Sequence, residues 1–412
     1  MTVKFGTDGI RGRAGVDIDE ALAWRVGNAV ASVLGGEVWV ARDTRSSSAD
    51  LAHAVCAGIV AGGGRATNLG VLPTPGLSLR VRDEQAAAGI MVTASHNPPE
   101  DNGLKVVGGG GRKLDAATTA AVADAMTRSS QVSGGHHRDA EGVEDYAKAL
   151  LASLPPGEWL FGRKVVFDAA AGASAAAGLR VLRALGAEVI PFSGPAINVD
   201  CGAVHPQFAA HVLRESGADV ALVLDGDGDR IALVDAGGNV LDGDALMWLC
   251  RRGPRMVGTV MTNLGLERAL ARESIALTRT QVGDAHVAEA MTTSGAPLGG
   301  EPSGHLLFSD GPPTADGLYA GLRALSEAPT LSTAGYTPST QAHSALRDVE
   351  LPALDLTFVE AAGGRAVVRR SGTEPLVRVM VEHDDPLVAW SLHDTVVAMI
   401  RHPWRVPRLP SP

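Results

Sequence analysis

The stretch Ala218-Asp219-Val220-Ala221-Leu222-Val223-Leu224-Asp225-Gly226-Asp227-Gly228-Asp229-Arg230 decides how the rest of the chain is read. Its first half is a short apolar run with no helical period, the pattern of a buried strand. Its second half places three carboxylates within five residues, spaced by glycine and closed by arginine, where the strand gives way to a loop. Like charges that close repel, and a fold keeps them together only if a cation neutralises them. An all-oxygen donor set suits a hard metal, Mg2+ before others. The stretch therefore points to metal-assisted chemistry on phosphate. An EF-hand also begins with three alternating acids, but it requires glycine at its sixth position and glutamate at its twelfth. Arg230 and Ala236 stand there.

Working outward, the same order of elements occurs three times. One block runs from Val38-Trp39-Val40-Ala41 through a helical stretch and a short strand closing at Gly70 to Gly89-Ile90-Met91-Val92, which leads into Ser95. A second runs from Lys164-Val165-Val166-Phe167-Asp168 through a helix over 176–185 and a strand over 187–190 to the strand ending at Asp225. A third runs from Gly258-Thr259-Val260-Met261-Thr262 through a helix over 266–272 and a strand over 276–278 to Gly299-Gly300-Glu301. Alternating strands and helices imply α/β units with parallel pairing. Ligands bind beyond the carboxyl ends of such strands, and the unusual loops at Ser95, Asp225 and Glu301 each follow the third strand of their block. From about residue 342 the pattern changes to strand-like runs, Arg365-Ala366-Val367-Val368 and 376–381, then a helix, as in a small α+β domain. Polar stretches at 129–144 and 327–341 read as seams.

The 412 residues exceed one ordinary domain. A net charge of −10 argues against nucleic-acid or anionic-membrane partners, so positive charge for phosphate must be concentrated locally. Cys56, Cys201 and Cys250 form neither a metal spacing nor a disulfide framework, which suits a reducing cytoplasm. Neither a leader-like segment nor a run of about 20 apolar residues is visible.

Four further motifs carry chemistry. Thr93-Ala94-Ser95-His96-Asn97-Pro98-Pro99 offers Ser95 as a nucleophile or as a serine capping a turn. Lys105, ten residues on, is a base, a phosphate partner or a surface lysine. Phe5-Gly6-Thr7-Asp8-Gly9-Ile10-Arg11-Gly12 is an anion-cradling loop or a plain turn. Gly300-Glu301-Pro302-Ser303-Gly304-His305 groups an acceptor, a hydroxyl and an imidazole, which suits sugar hydroxyls, or else forms a turn with a satisfied histidine. Arg369-Arg370-Ser371-Gly372-Thr373-Glu374-Pro375, with Arg378, reads as a phosphate cradle or a basic hairpin.

Taken in chain order, the serine loop, the aspartate loop, the 300–305 loop and the 369–375 loop resemble those of the α-D-phosphohexomutases. The opening FGTDGIRG, the closing RRSGTEPLVRVMVE and Met261-Thr262-Asn263-Leu264-Gly265-Leu266-Glu267 are most similar to its phosphoglucosamine mutase branch. The resemblance implies three related mixed-sheet α/β domains and a smaller C-terminal α+β domain around a central cleft, with boundaries at 1–146, 147–246, 247–335 and 336–412. It implies that Ser95 is carried as phosphoserine and that Asp225, Asp227 and Asp229 bind one Mg2+ with the phosphoserine as a further ligand. Glu301 and Ser303 would grip sugar hydroxyls. Arg370, Ser371, Gly372 and Thr373, with Arg378 nearby, would hold the non-reacting phosphate. Arg11, Lys105 and His305 would supply charge or move a proton.

The implied reaction interconverts glucosamine 6-phosphate and glucosamine 1-phosphate through a 1,6-bisphosphate in a cytoplasmic monomer or homodimer. Mutases for glucose, mannose or a specialised hexose phosphate are the alternative, followed by a Mg2+-dependent sugar phosphatase and a non-catalytic sugar-phosphate binder. Three positions depart from the branch's pattern. Pro302 replaces Asn or Gln, Gln281 replaces a lysine, and Ala169-Ala170-Ala171-Gly172 replaces a Cys-Ala-Asn-Gly type of turn. None is one of the three aspartates or the serine, so they bear on which sugar is recognised and on catalytic vigour.

Overall fold

The computed structural model describes residues 9–128, 132, 134–371 and 376–402. They form two compact units, Met1–Cys250 with Pro297–Leu331, and Arg251–Ala296 with Ser332–Pro412.

The chain opens with β1 (Ile10–Arg13), α1 (Glu20–Leu34), β2 (Glu37–Arg42), α2 (Ser48–Ala61), β3 (Arg65–Val71), α3 (Thr74–Asp83), β4 (Ala88–Val92), β5 (Asp101–Gly108), α4 (Ala116–Ala125) and β6 (His136–Asp139). The strands form one sheet in the order β1-β5-β4-β2-β3-β6. Strands β2, β3, β4 and β6 run parallel, whereas β1 and β5 add antiparallel pairings. Val38, Val40, Ile90 and Val92 join Val26, Val30, Val55 and Ile59 of the covering helices in one buried cluster. Helices α1 and α2 touch backbone to backbone because Gly27 and Gly58 sit at the crossing. A Cβ on either would lie about 2 Å from a carbonyl oxygen of the other helix.

After α5 (Val143–Ala152) come β7 (Lys164–Asp168), α6 (Ala175–Ala184), β8 (Glu188–Phe192), α7 (Pro206–Ser216), β9 (Val220–Leu224), β10 (Ile231–Asp235), β11 (Val240–Leu241) and α8 (Gly243–Leu249). Their sheet has the order β11-β10-β9-β7-β8, parallel across β8, β7 and β9 and antiparallel beyond. Every residue of β9 is buried, as its apolar run requires.

In the second unit β12 (Arg255–Thr259) and β13 (Ala276–Thr280) pair in parallel, with α9 (Leu264–Arg272) and α10 (Asp284–Ser294) following them. The chain returns to the first unit with the antiparallel pair β14 (Leu298–Gly300) and β15 (Leu306–Phe308), then α11 (Gly317–Glu327). The second unit ends with β16 (Thr340–Arg347), α12 (Thr357–Ala361), β17 (Arg365–Arg370), β18 (Leu376–His383) and α13 (Pro386–Arg401). These strands form an antiparallel sheet, β16-β18-β17, packed on α13 through Val377, Val379, Val381, Val396 and Ile400.

Mixed α/β sheets with a small antiparallel C-terminal domain are the expected fold class. The parallel pairing expected within each block is its core, and antiparallel strands extend it. In each of the three α/β blocks the third strand is followed by an antiparallel neighbour, β4 by β5, β9 by β10 and β14 by β15. The connections are the loops bearing Ser95, Asp225 and Glu301. Each working loop is thus a short strand-to-strand link held at both ends.

Helix α11 starts with a buried carboxyl group. Asp316 caps it by accepting from the Tyr319 N–H at 2.9 Å, and the buried Tyr146 hydroxyl donates to its other oxygen at 2.9 Å. Burial pushes the Asp316 carboxyl up to about 7, against those hydrogen bonds. The folded protein therefore holds this proton more tightly than the unfolded chain, where the carboxyl titrates near ~4. The resulting stabilisation is complete at low pH and is lost as pH rises towards about 7. Urea unfolding from about pH 4 to about pH 8 should show this decline, and Asp316→Asn should flatten it by roughly 1–3 kcal/mol. An unaltered slope would mean that Asp316 does not bind the proton.

Candidate active site

Ser95 sits three residues beyond β4 with φ 55°, a left-handed conformation that costs a non-glycine residue about 1–2 kcal/mol. Its surroundings enforce it. The Ser95 N–H donates to Thr93 Oγ1 at 2.9 Å. The Ser95 carbonyl accepts from Arg45 at 2.9 Å and from the Asn198 amide at 2.7 Å, and both donors also reach the Asn97 carbonyl. Arg45 further donates to the carbonyls of Pro98 and Asp101. It is fully buried and held by Asp43 at 3.0 Å, and Asp43 also accepts from Ser48 and Thr93. Burial raises the Asp43 carboxyl, with Arg45 pulling the other way. A buried ion pair thus pins the serine loop from beneath.

The result is directional. Ser95 Oγ donates to Asp225 Oδ2 at 2.7 Å, and His96 Nδ1 lies 3.4 Å from the same hydroxyl. Burial, then the charges of Arg230 and Arg11, push the His96 imidazole down to about 4, so it is neutral at pH 7. Gly226 is required here, since a Cβ on it would meet the Ser95 carbonyl oxygen at 2.7 Å.

Asp225, Asp227 and Asp229 are all buried, and one oxygen from each lies within 4.8 Å of the others. Burial and the two neighbouring aspartates push Asp225 up to about 7. Burial opposes ionisation of Asp229 too, but Lys105 above all holds its carboxyl well below the usual range. Lys105 Nζ bridges Asp227 Oδ2 at 2.5 Å and Asp229 Oδ2 at 2.9 Å, and those two charges raise its own pKa against the effect of burial. Asp227 Oδ1 and Asp229 Oδ1 are buried and, among the described residues, accept no hydrogen bond. Buried carboxylate oxygens without donors are costly, and a cation bound between them removes that cost. The triad could hold a metal ion.

Around it stand the other sequence candidates of the first unit. Arg11, on β1, pairs in register with Gly103 of β5 and is near enough for its charge to act on His96 and Lys105. His305 Nδ1 lies 3.9 Å from Asp229 Oδ1. Glu301 adds its charge to those acting on the half-buried Arg230. The 301–304 turn closes with Gly304 N–H donating to the Glu301 carbonyl at 3.0 Å, and Ser303 is exposed upon it. Gly304, at φ 86°, abuts Ile231, where a Cβ would meet the carbonyl oxygen at 2.0 Å.

In the second unit Arg370 and Ser371 line a cavity of about 360 Å3, together with Asp348, Glu350 and Val377. Its lining thus mixes acids with the arginine. The Ser371 N–H donates to the Leu376 carbonyl at 2.8 Å. Arg378 is exposed on β18 opposite Arg369. Gly372 and Thr373 lie outside the described residues, as does Phe5–Asp8 of the opening glycine loop.

Asp43, Arg45, Thr74 and Asn198 were not singled out in the sequence. Asp43 and Arg45 do follow the carboxyl end of β2, where ligand-binding residues gather in such sheets. Asn198 is reached through Asp168, whose carboxylate accepts from the N–H groups of Ala170 and Gly202 and so ties together the loops at 169–172 and 198–202. Ala170 and Ala171, in the altered turn, both adopt left-handed φ, and the Ala170 carbonyl accepts from the Asn198 N–H.

Family profiles match in the same order as these loops. The profile of phosphoglucomutase/phosphomannomutase, alpha/beta/alpha domain I, matches residues 2–133, that of domain III residues 242–346, and that of the C-terminal domain residues 338–397. The chain belongs to the phosphoglucomutase/phosphomannomutase family. It is 38% identical to a phosphoglucosamine mutase of Jannaschia sp. (strain CCS1), covering 97% of this chain and 99% of that one. Identity is also 38%, with the same coverage, to a phosphoglucosamine mutase of Xylella fastidiosa (strain M23). A solved phosphoglucomutase/phosphomannomutase family protein from Burkholderia thailandensis superposes with a TM-score of 0.80 at 23% identity, over 98% of both chains. The Aspergillus fumigatus N-acetylphosphoglucosamine mutase, solved with GlcNAc-6P and magnesium, superposes at 0.65 with 17% identity, over 97% of this chain and 95% of that one. At those identities the two structures speak for the fold. Membership of this family of mutases bears out the resemblance drawn from the ordered motifs. No helix among the described residues is long and apolar enough to cross a membrane.

Proposed function

We propose that the chain interconverts glucosamine 6-phosphate and glucosamine 1-phosphate in the cytoplasm, by way of a phosphoserine at Ser95 and a 1,6-bisphosphate. Identity of 38% to phosphoglucosamine mutases along nearly the whole of both chains carries the choice of substrate. The 2.7 Å contact between Ser95 Oγ and Asp225 supports the choice of nucleophile. The Aspergillus protein's complex with a hexosamine phosphate and magnesium supports the same class of ligand here.

In this reading Asp225, Asp227 and Asp229 hold one Mg2+, which would spread the negative charge that builds on the transferring phosphoryl group. The chain's own residues do the rest. The serine loop fixes Ser95 Oγ so that its phosphoryl group faces the sugar hydroxyl, and phosphoryl transfer is mostly positioning and charge stabilisation. Lys105, Arg11 and Arg230 offset the anionic oxygens. His305, rather than the already charged Lys105, takes the proton that the attacking hydroxyl loses as its oxygen–phosphorus bond forms and the bond to Ser95 Oγ breaks. The bisphosphate then turns and returns its other phosphoryl group to Ser95. Glu301 and Ser303 receive the sugar hydroxyls in either orientation. Arg370, Ser371, Gly372, Thr373 and Arg378 receive the distal phosphate. A division at 1–146, 147–246, 247–335 and 336–412 gives each domain one of these loops.

Turnover of glucosamine, glucose and mannose 6-phosphates, read by phosphorus NMR, tests the proposal. Glucosamine 6-phosphate should be preferred, and its product should be the 1-phosphate. Preference for a neutral hexose would assign the enzyme to another branch, a result that Pro302 and Gln281 make worth measuring. Free phosphate as the main product would replace the mutase with a phosphatase.

A further inference from the structure

Resting on the reading of the aspartate loop as a metal site, we propose that Thr74 is a positioning residue for that site. It selects which oxygen of Asp227 faces the ion. The observation is a division of labour within each carboxylate. Asp225 Oδ1 accepts the N–H groups of Gly228 at 3.1 Å and Arg230 at 3.2 Å, which leaves Oδ2 towards Ser95. Asp227 Oδ2 accepts from Thr74 Oγ1 at 2.5 Å and from Lys105 at 2.5 Å, while its buried Oδ1 accepts nothing among the described residues. Asp229 Oδ2 accepts from Lys105, and its Oδ1 is likewise without a donor. In Asp227 and Asp229 the donors therefore occupy one oxygen and leave the other for a ligand, whereas the second oxygen of Asp225 takes the Ser95 hydroxyl.

Of the side chains anchoring Asp227, Thr74 is the rigid one. It is β-branched and buried, which restricts χ1. It opens α3 between Pro73 and Pro75, whose rings fix the backbone on either side. It also grips Asp227 twice, because its N–H donates to the Asp227 carbonyl at 2.9 Å. Pro73 packs beside Gly228, where an added Cβ would stand 3.2 Å from the proline ring. Lys105, by contrast, shares one ammonium between two carboxylates from the end of a flexible stem. The start of α3 is thus a template for the metal loop, although 153 residues separate Thr74 from Asp227. Hydrogen bonds that orient a metal ligand from behind are typically worth about 10–100-fold in affinity.

The test is Mn2+ titration of the full chain, followed by electron paramagnetic resonance of the free ion, with Ser95 phosphorylation matched across variants by mass spectrometry. The wild type should bind one Mn2+, and Asp227→Asn should lose it. Thr74→Val, which keeps the shape and removes the hydroxyl, should bind about 10-fold more weakly or worse. Thr74→Ser, which restores the donor, should return to within about 3-fold of wild type. Equal affinity for Thr74→Val and wild type would overturn the role of Thr74 and leave the metal site standing. So would a lowered melting temperature with Mn2+ affinity unmoved. A wild type that binds no Mn2+ would overturn the metal site and this proposal with it. If Thr74→Val does not fold, Thr74→Ala is judged by the same criterion.

Discussion

Replacing Ser95 by alanine is expected to reduce turnover by at least ~10⁴-fold, the scale on which loss of a covalent nucleophile is felt, while substrate binding survives. The fold should survive as well. The Ser95 backbone is held through its N–H by Thr93 and through its carbonyl by Arg45 and Asn198, and the substitution touches none of these contacts. What disappears is the one hydroxyl aimed at Asp225 from 2.7 Å. Steady-state kinetics together with isothermal titration of a hexose phosphate would separate the two effects. Turnover close to wild type would remove Ser95 from the reaction, and lost binding would show that the substitution disturbed more than the nucleophile.

Replacing Arg45 by methionine should cost about 3–5 kcal/mol of folding stability, the usual penalty for removing one member of a buried ion pair. Asp43 would be left with its charge in a fully buried position, since both side chains are inaccessible. The carbonyls of Ser95, Asn97, Pro98 and Asp101 would lose a donor together. Because Arg45 enforces the left-handed backbone at Ser95, activity should fall further than stability alone explains. Urea unfolding would measure the first effect, and turnover at a temperature where the variant is fully folded the second. The double variant Asp43→Asn/Arg45→Met should be less destabilised than Arg45→Met, because the orphaned charge is gone. An Arg45→Met protein as stable and active as wild type would contradict the assignment.

Much of the architecture was legible because its signals are local. The apolar run before Asp225 could only be a buried strand, and it is β9. Lys164–Asp168 is β7 with the expected bounds, and the helices expected at 176–185 and 266–272 are α6 and α9 to within two residues. The strand expected over Gly258–Thr262 is instead β12, Arg255–Thr259, whose buried apolar residues are Met256 and Val257, and the chain turns after it where the Thr262 N–H donates to the Thr259 carbonyl. The antiparallel partners β5 and β10 were not foreseen, since a strand's direction depends on where the chain returns. The candidate site was legible where chemistry concentrates in one motif, as at Ser95 and the three aspartates. Thr74, Arg45 and Asn198 lie 153, 50 and 103 residues from the groups they hold. Their residue types are ordinary in loops, and only the folded chain brings them to their partners.

The account's central claim is that a phosphoryl group travels through Ser95. Tandem mass spectrometry of the protein after incubation with glucose 1,6-bisphosphate tests it most directly. One phosphoryl group should appear on the peptide containing Ser95, be assigned to that residue, and leave on addition of glucosamine 6-phosphate as sugar bisphosphate appears. Isomerisation proceeding while Ser95 remains unmodified, or a phosphoryl group residing on another residue, would contradict the account.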